Sequence, residues 1–389
     1  MKVVHINSVY GYGSTGKIVM KLHHELLDRG HDSYVIYGRK GAFGHENNNK
    51  YSDNSYLVNN SIETIVHLIL GVLFDKHGLY SKNSTNRIIK LIDDIKPDII
   101  HLHNLHGFYI NYEMLFKYIA SKEIKVIWTL HDCWSFTGFC SHYEYNGCDK
   151  WKSGCHNCQY RNVYPYRILS RSEKNYDLKI NLYKDIENLT IVTPSRWLAD
   201  QVKESILKDK NIIVINNEAN LNDFYLEDNA RRSKELDGKT ILLAVSNGWN
   251  TRKGFNEYLK LSKKLDENQM IVMIGLSDKQ IKNLPKNIIG IKRTKSVDEL
   301  RKWYSISDYF VNLTLEDTYP TVNLEAQSCG LPVITYRTGG STEMMRENDF
   351  VVDKFDLDEI CRIISKKSKH IVSKGNNNMI EEYMRLYND

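Results

Sequence analysis

Residues 312–334 read Asn-Leu-Thr-Leu-Glu-Asp-Thr-Tyr-Pro-Thr-Val-Asn-Leu-Glu-Ala-Gln-Ser-Cys-Gly-Leu-Pro-Val-Ile. Tyr309 to Leu313 has the composition of a strand, and a polar turn containing Pro320 follows it. A short helix then begins near Thr321 and stops at Gly330, a left-handed cap. A second strand carries Val333 and Ile334. Strand, loop, helix, strand is the unit of a parallel α/β sheet. Two carboxylates bracket the unit: Asp317 on the loop at the strand's carboxyl end, and Glu325 inside the helix, with seven residues between them. Open α/β sheets bind ligands at that end. A helix amino terminus there offers unpaired N–H groups and a positive dipole end to an anion such as a diphosphate. The carboxylates would accept hydrogen bonds from sugar and ribose hydroxyls. The competing reading is an acidic helix cap followed by a surface glutamate.

The run Glu325-Ala-x-Ser-Cys-Gly-Leu-Pro-Val-Ile, followed by Thr338-Gly339-Gly340-Ser341-Thr342-Glu343, resembles the donor-site block of family 4 retaining glycosyltransferases. That block is usually Glu, seven residues, Glu, so Asp317 stands where the family has Glu. Glu316 is adjacent, but its spacing is one residue too long. The resemblance implies the GT-B fold: α/β, two Rossmann-like domains whose parallel sheets face a cleft, with a terminal helix crossing back to the first domain. It also implies that Thr318, Tyr319, Pro320 and Thr321 line the donor site.

Composition sets the frame. The chain's 389 residues suffice for two α/β domains. Its 53 Lys+Arg against 48 Asp+Glu give a formal charge of +5, too mild a surplus to suggest nucleic acid. That charge suits phosphate-bearing ligands or an anionic membrane surface. The first residues enter a strand, Lys2 to Ile6, without a basic leader and apolar core. The longest apolar run, Ile65 to Phe74, is interrupted by His67 and too short to span a bilayer. The expectation is a cytoplasmic protein, peripheral at the inner membrane face at most, whose cysteines are reduced or metal-bound.

In the first half, strand Val3–Ile6, the glycine-rich turn Gly11 to Gly16, an apolar-striped helix ending at Gly30, and strand Tyr34–Tyr37 form a βαβ opening. Gly11 to Lys17 fits phosphate-loop spacing, but Ile18 follows where Ser or Thr should hold magnesium. By resemblance, Gly13, Ser14 and Thr15 face the donor instead. Residues 41–60 read as a polar loop. Residues 61–81 hold an amphipathic helix with Ile62, Ile65, Val66, Ile69, Leu70, Leu73 and Phe74, for which core packing is the default and membrane or lipid-acceptor contact the alternative.

Strand Pro97–Leu102 runs into His101-Leu102-His103-Asn104-Leu105-His106. Alternation puts His101 and His103 on one side. No acidic ligand stands nearby in sequence, so a metal is disfavoured. The pattern resembles the family's acceptor-side loop, which implies acceptor contacts for His103, Asn104 and His106. Strand Val126–Leu130 delivers His131-Asp132 to its carboxyl end. The matching Thr-x-His-Asp of the family gives His131 the contact to the donor sugar near the reacting carbon.

A cysteine cluster follows: Cys140, Cys148, Cys155 and Cys158, among glycines and polar residues that read as a loop excursion outside the core. Four thiolates suit tetrahedral zinc, although the first pair lacks a standard finger spacing. Structural zinc, free thiols and a disulfide all stay open. The segment from His131 through Cys158 resembles the family 4 branch that includes colanic-acid and other surface-polysaccharide transferases.

The domain boundary is expected near 215–235, dividing the chain into 1–215, 216–365 and a terminal segment 366–389 that packs toward the first domain. In the second half, strand Ile241–Val245 leads into Ser246-Asn247-Gly248-Trp249-Asn250-Thr251-Arg252-Lys253-Gly254. The family places Arg and, five residues on, Lys-Gly here to bind the diphosphate. Lys253 matches the Lys; Gly248 occupies the Arg position, and Arg252 is the substitute candidate. Thr294 follows a later strand where the family's chain meets the base.

The resemblance implies a retaining hexosyltransferase. It would move a hexose-type sugar from a nucleotide diphosphate sugar, UDP-sugar favoured, to a saccharide or polyprenyl-linked saccharide in surface polysaccharide or lipopolysaccharide synthesis. Glu325 would hold the ribose and Asp317 the sugar hydroxyls, catalysis resting on His131 and Asp317 without a required cofactor. The rivals are a GT-B phosphorylase or nucleotide-sugar epimerase, and a non-catalytic sugar- or zinc-binding protein.

Overall fold

A computed structural model describes residues 1–40, 54–160, 163–366, 370–371 and 378–389. The described residues form two units, one of Met1–Asn216 with Met379–Asp389, the other of Asn217–Asn378. Each is built on an all-parallel sheet whose central strands are apolar and buried on both faces, as helix-covered parallel sheets require.

In the first unit the strands are β1 (Lys2–Asn7), β2 (Asp32–Tyr37), β3 (Ser55–Leu57), β4 (Ile99–Leu102), β5 (Lys125–Thr129), β6 (Leu189–Thr193) and β7 (Asn211–Val214). They lie in the order β3-β2-β1-β4-β5-β6-β7. The helices are α1 (Gly13–Asp28), α2 (Ser61–Phe74), α3 (Lys82–Ile95), α4 (Tyr112–Ala120), α5 (Ser172–Lys184) and α6 (Arg196–Lys203). Residues 41–53 of the expected 41–60 loop lie outside the described residues. Ser55–Leu57 is not loop but an edge strand paired with β2.

The second unit repeats the plan. Its strands are β8 (Thr240–Val245), β9 (Gln269–Ile274), β10 (Ile288–Ile291), β11 (Tyr309–Asn312), β12 (Val333–Tyr336) and β13 (Phe350–Val352). Their order is β10-β9-β8-β11-β12-β13. The helices are α7 (Phe255–Ser262), α8 (Asp278–Ile281), α9 (Val297–Ile306), α10 (Thr321–Ser328) and α11 (Leu357–Ile364). Gly330 has φ +73°, the left-handed residue that stops α10. In each sheet the strand order reverses beside the unit's first strand, between β1 and β4 and between β8 and β11. Loops leaving the carboxyl ends of those strands diverge to opposite faces and open a crevice.

The terminal helix α12 (Met379–Asn388) belongs to the first unit. Its Ile380, Tyr383, Met384 and Tyr387 pack with Val3, Leu22, Ile99 and Ile127, and Arg29 pairs with Glu381. The opposite face of the sheet is covered by α3, α4 and α5, with Trp128, Phe116 and Tyr183 in mutual aromatic contact.

Two expectations change. The cysteine-bearing loop is core in its packing: Trp134, Phe136, Tyr143 and Trp151 are buried in the main cluster of the first unit. Aromatic rings, not regular secondary structure, anchor it. Helix α2 departs the other way. Its His67 and Gly71 face inward, while Ile62 is 75% exposed, Ile65 53% and Ile69 51%. The inward stripe carries the polar group: His67 Nδ1 bonds Ser81 Oγ at 2.7 Å, and Nε2 accepts from the Gly78 N–H at 3.0 Å. The apolar face is therefore turned outward.

Asp75, the left-handed C-cap of α2, ties the helix to the strap that follows the cysteine loop. Its carboxylate accepts from Arg167 Nη1 at 2.6 Å and from the Arg171 N–H at 2.7 Å. Both side chains are fully buried. Burial pushes the Asp75 carboxyl up, and Arg167 opposes that shift. Arg167→Ala would leave a buried carboxylate without its cation, a loss of about 3–5 kcal/mol. Urea unfolding should show it; a loss within ~0.5 kcal/mol, the range of ordinary surface substitutions, would contradict the role given to this pair.

Candidate active site

In the second unit the crevice is walled by the loop after β8 and the loop after β11. Gly254 fixes the first loop: its φ is +75°, and a Cβ there would collide with the Leu313 carbonyl oxygen. The loops are stitched by the Leu315 N–H donating to Arg252 O at 2.7 Å. Thr338 Oγ1 donates to Leu315 O at 2.7 Å, and the Gly340 N–H to Asp317 O at 3.0 Å. This lacing brings Lys253 Nζ to Asp317 Oδ2 at 2.7 Å, with the two side chains 26% and 15% exposed. Burial pushes the Lys253 ammonium down; Asp317 opposes this and Arg252 adds to it.

Arg252 lies beside Lys253 and donates to Glu316 O at 2.8 Å. Asp317 stands on the loop that enters α10. The carboxylate Oδ1 of Asp317 accepts from the Tyr319 N–H at 3.3 Å, and the N-cap residue, Pro320, makes no side-chain cap. The first turn, from Thr321, carries no acid, so the helix end keeps its positive field. Thr318 and Tyr319 are buried. Glu325, half-buried on the same helix, accepts from Tyr304 Oη at 3.0 Å. Thr294 is half-buried on the loop after β10.

In the first unit β1, β4 and β5 deliver their side chains to one place. Gly11, with φ +68°, donates its N–H to Gly16 O at 3.0 Å, closing the turn before α1. Gly13, Ser14 and Thr15 form the helix's first turn, and Tyr12 gives no side-chain cap. Parallel register sets His5 opposite His101. A row of imidazoles follows: His5 Nδ1 to His103 Nε2 at 3.5 Å, then His103 Nδ1 to His131 Nε2 at 3.1 Å. Among the described residues His5 Nε2 has no partner.

Of the two ways to orient these protons, one buries an unpaired N–H at His5 Nε2 and the other a bare lone pair there. Unpaired acceptors are the better tolerated, so each ring donates from Nδ1 and His131 receives at Nε2. His131 keeps its proton on Nδ1. Burial pushes the His131 imidazole down to about 4, Asp132 opposing and His106 adding.

His103 is buried, and its ring nitrogens face His5 and His131. His106 Nε2 meets Asp132 Oδ2 at 2.8 Å. Burial works against the Asp132 carboxylate, yet His106, His142 and the Trp134 N–H hold it well below the ordinary range. Asn104 is half-buried, its N–H donating to Asn7 Oδ1 at 3.2 Å. Atoms of His5, His101 and His103 lie within 4.8 Å of one another. Both nitrogens of His101 are met by hydroxyls, Tyr387 Oη at 2.7 Å and Thr129 Oγ1 at 2.8 Å, which makes this a hydrogen-bonded network rather than a metal cage.

Sequence reasoning missed His5 and Tyr304, and it named Asp132 without its partner. No local signal marks them, because strand register and helix packing bring them in from 98 and 21 residues away.

Comparison with known proteins places this geometry. Residues 15–222 match the model for Glycosyltransferase Family 4, and residues 227–382 match that for Glycosyl transferases group 1. The chain belongs to glycosyltransferase family 4. It is 23% identical over 367 residues to WcaC of Escherichia coli (strain K12), named as a colanic acid biosynthesis glycosyl transferase, covering 90% of this chain and 86% of WcaC. Its fold is that of GT-B glycosyltransferases. A glycosyltransferase from Rickettsia africae ESF-5 superposes with TM-score 0.65 at 16% identity, over 99% of this chain and 97% of that one. Anabaena HepE, solved in complex with UDP-glucose, gives 0.61 at 14% identity, over 94% and 89%.

The buried imidazoles carry a pH consequence. His5 and His67 are pushed down to about 3, and His23, His77 and His131 to about 4, burial being the first cause in each. In the unfolded chain they take up protons near 6.5. Between about pH 6.5 and 4 the unfolded state thus binds more protons, so stability falls as pH falls. Urea midpoints should drop from about pH 7.5 to about pH 5.5. An unchanged or higher midpoint at the lower pH would contradict this account.

Proposed function

We propose that the protein is a retaining glycosyltransferase that moves a hexose-type sugar from a UDP-sugar to a saccharide or lipid-linked saccharide acceptor in bacterial surface polysaccharide synthesis. The observation that carries this reading is the second unit's crevice, where two adjacent cations, a carboxylate and an uncapped helix end converge on a chain of family 4. The names of WcaC and of the HepE complex support the polysaccharide and the UDP-sugar.

On this reading Lys253, Arg252 and the α10 amino end take the diphosphate, as cations and helix dipoles do elsewhere. Asp317 takes sugar hydroxyls and Glu325 the ribose. Thr294 meets the base. In the first unit Asn104 and His106 serve the acceptor. His103, having both nitrogens engaged, acts through His131 as a positioning residue. In the step itself, the acceptor hydroxyl oxygen bonds the anomeric carbon on the face from which the diphosphate departs. The carbon–oxygen bond to the β-phosphate breaks, and the leaving phosphate takes the acceptor's proton.

The lipid-linked acceptor gains support from α2. Its outward Ile62, Ile65 and Ile69 continue into the strap, where Ile168 and Leu169 are more than half exposed. The Ile168 N–H donates to Val72 O at 2.8 Å and the Leu169 N–H to Leu73 O at 3.2 Å, joining strap and helix into one apolar face. Such a helix lies in a bilayer interface, and no described helix is long and apolar enough to cross one. Flotation with phosphatidylglycerol vesicles should carry the protein, and the double variant Ile65→Glu/Ile69→Glu should stay behind. Equal behaviour of the two chains would remove the membrane from this reading.

Titration calorimetry with UDP-sugars tests the donor site. Lys253→Ala and Glu325→Ala should each weaken binding about ten- to a hundredfold, the roughly 1.5–3 kcal/mol of a charge-assisted hydrogen bond. Unchanged affinity in both would take those residues out of the site. Release of free sugar phosphate without acceptor glycosylation would favour a phosphorylase.

A further inference from the structure

We infer that Cys140, Cys148, Cys155 and Cys158 form a structural zinc site in the first unit. All four line one small cavity of about 10 Å³, room for roughly one water-sized sphere. Aromatic rings of Phe139, Tyr143 and Trp151 close it in. An all-thiolate set of four is the ligand chemistry of tetrahedral zinc.

The backbone around the thiols is arranged for them. The dipeptide Gly-Cys occurs twice, as Gly147-Cys148 and Gly154-Cys155, and both glycines have positive φ, +63° and +131°. Cys155 and Asn157 are themselves left-handed, at +54° and +47°. This uncommon conformation for side-chain-bearing residues folds the Cys155-x-x-Cys158 turn back on itself. Backbone N–H groups point at two of the sulfurs: Gly138 donates to Cys155 Sγ at 3.1 Å, and Lys150 to Cys148 Sγ.

Lys179 is the second, independent observation. It is fully buried on α5, yet among the described residues its ammonium has no carboxylate within hydrogen-bond reach. It donates to the carbonyls of Trp134 and Thr137 and lies 3.7 Å from the centroid of the Trp134 ring. Four thiolates around a divalent ion carry a net negative charge, which would give this cation its counter-charge. The sulfurs stand wider than the 4.8 Å mutual separation that the three histidines meet. The ion would draw them together by side-chain rotation around a cavity already assembled.

The site fixes the loop that carries Asp132 and thereby His106. The Cys133 N–H donates to Ser141 O at 3.0 Å, and the Trp134 N–H to Asp132 Oδ1 at 2.9 Å. Zinc is therefore a structural brace beside the acceptor-side histidines and takes no part in bond making.

The test uses the full chain, expressed in zinc-supplemented medium and purified without chelator. Mass-spectrometric metal analysis should find about one zinc per chain, and exchange with cobalt(II) should produce thiolate-to-metal charge transfer with tetrahedral d–d absorption. Cys158→Ser should lose the metal, while Cys361→Ser, on α11 in the second unit, should retain it. Less than about a tenth of an equivalent in the unsubstituted chain, with no cobalt spectrum, would overturn the site. A disulfide within the cluster in a non-reducing peptide map would overturn it too. Should Cys158→Ser fail to fold, the cobalt spectrum of the unsubstituted chain decides alone.

Discussion

The ion pair between Lys253 and Asp317 is the contact on which the second unit's chemistry depends. It joins the loops that leave β8 and β11, the two strands on either side of the reversal in strand order. Neither side chain would reach the crevice without the backbone lacing beneath it. A Cβ at Gly254 would push its loop off Leu313, and the Leu315 N–H closes the gap to Arg252. Arg252 stands beside Lys253, its guanidinium donating to Glu316 O, and the end of α10 adds more positive field. On the proposed reading, the diphosphate of the donor adds its charge to this cluster of positive groups.

The first unit solves a different problem. Imidazoles from three adjacent strands touch in a row behind His131, and burial keeps them neutral. A neutral, hydrogen-bonded row holds a ring in place without placing a fixed positive charge in the site. The terminal helix completes the arrangement from behind: Tyr387 and Tyr383 bond His101 and Thr129, closing off the polar edge of the network. The chain thus spends its last helix on keeping the strand ends rigid.

Much of this was legible in the sequence because parallel sheets write themselves as short buried runs separated by helical stripes. Strands such as Thr240–Val245 and Gln269–Ile274 and the helix from Thr321 were readable within a residue or two. Short edge strands were not: Ser55–Leu57 and Phe350–Val352 have three residues each, too few for a pattern. Helix α2 shows a deeper limit. Periodicity located an apolar face but not its direction, since His67 and Gly71 on the other face supply the hydrogen bonds and close approach that hold the helix down. The cysteine loop erred in the opposite sense, because glycines and polar residues conceal four aromatic anchors. In the site, Lys253, Asp317 and Glu325 were identified from the family pattern. The bond between Lys253 and Asp317, the Tyr304 contact and the His5–His103–His131 row arise from tertiary register, which no local pattern encodes.

Hydrogen–deuterium exchange of the intact protein with and without UDP addresses the central claim most directly, because it reads the crevice itself rather than the consequences of a mutation. Nucleotide should protect the backbone amides of residues 252–254, 317–322 and 339–341 while leaving the far edge strands β10 and β13 unchanged. Protection confined to other segments, or none at saturating UDP, would contradict the assignment of that crevice to a nucleoside diphosphate.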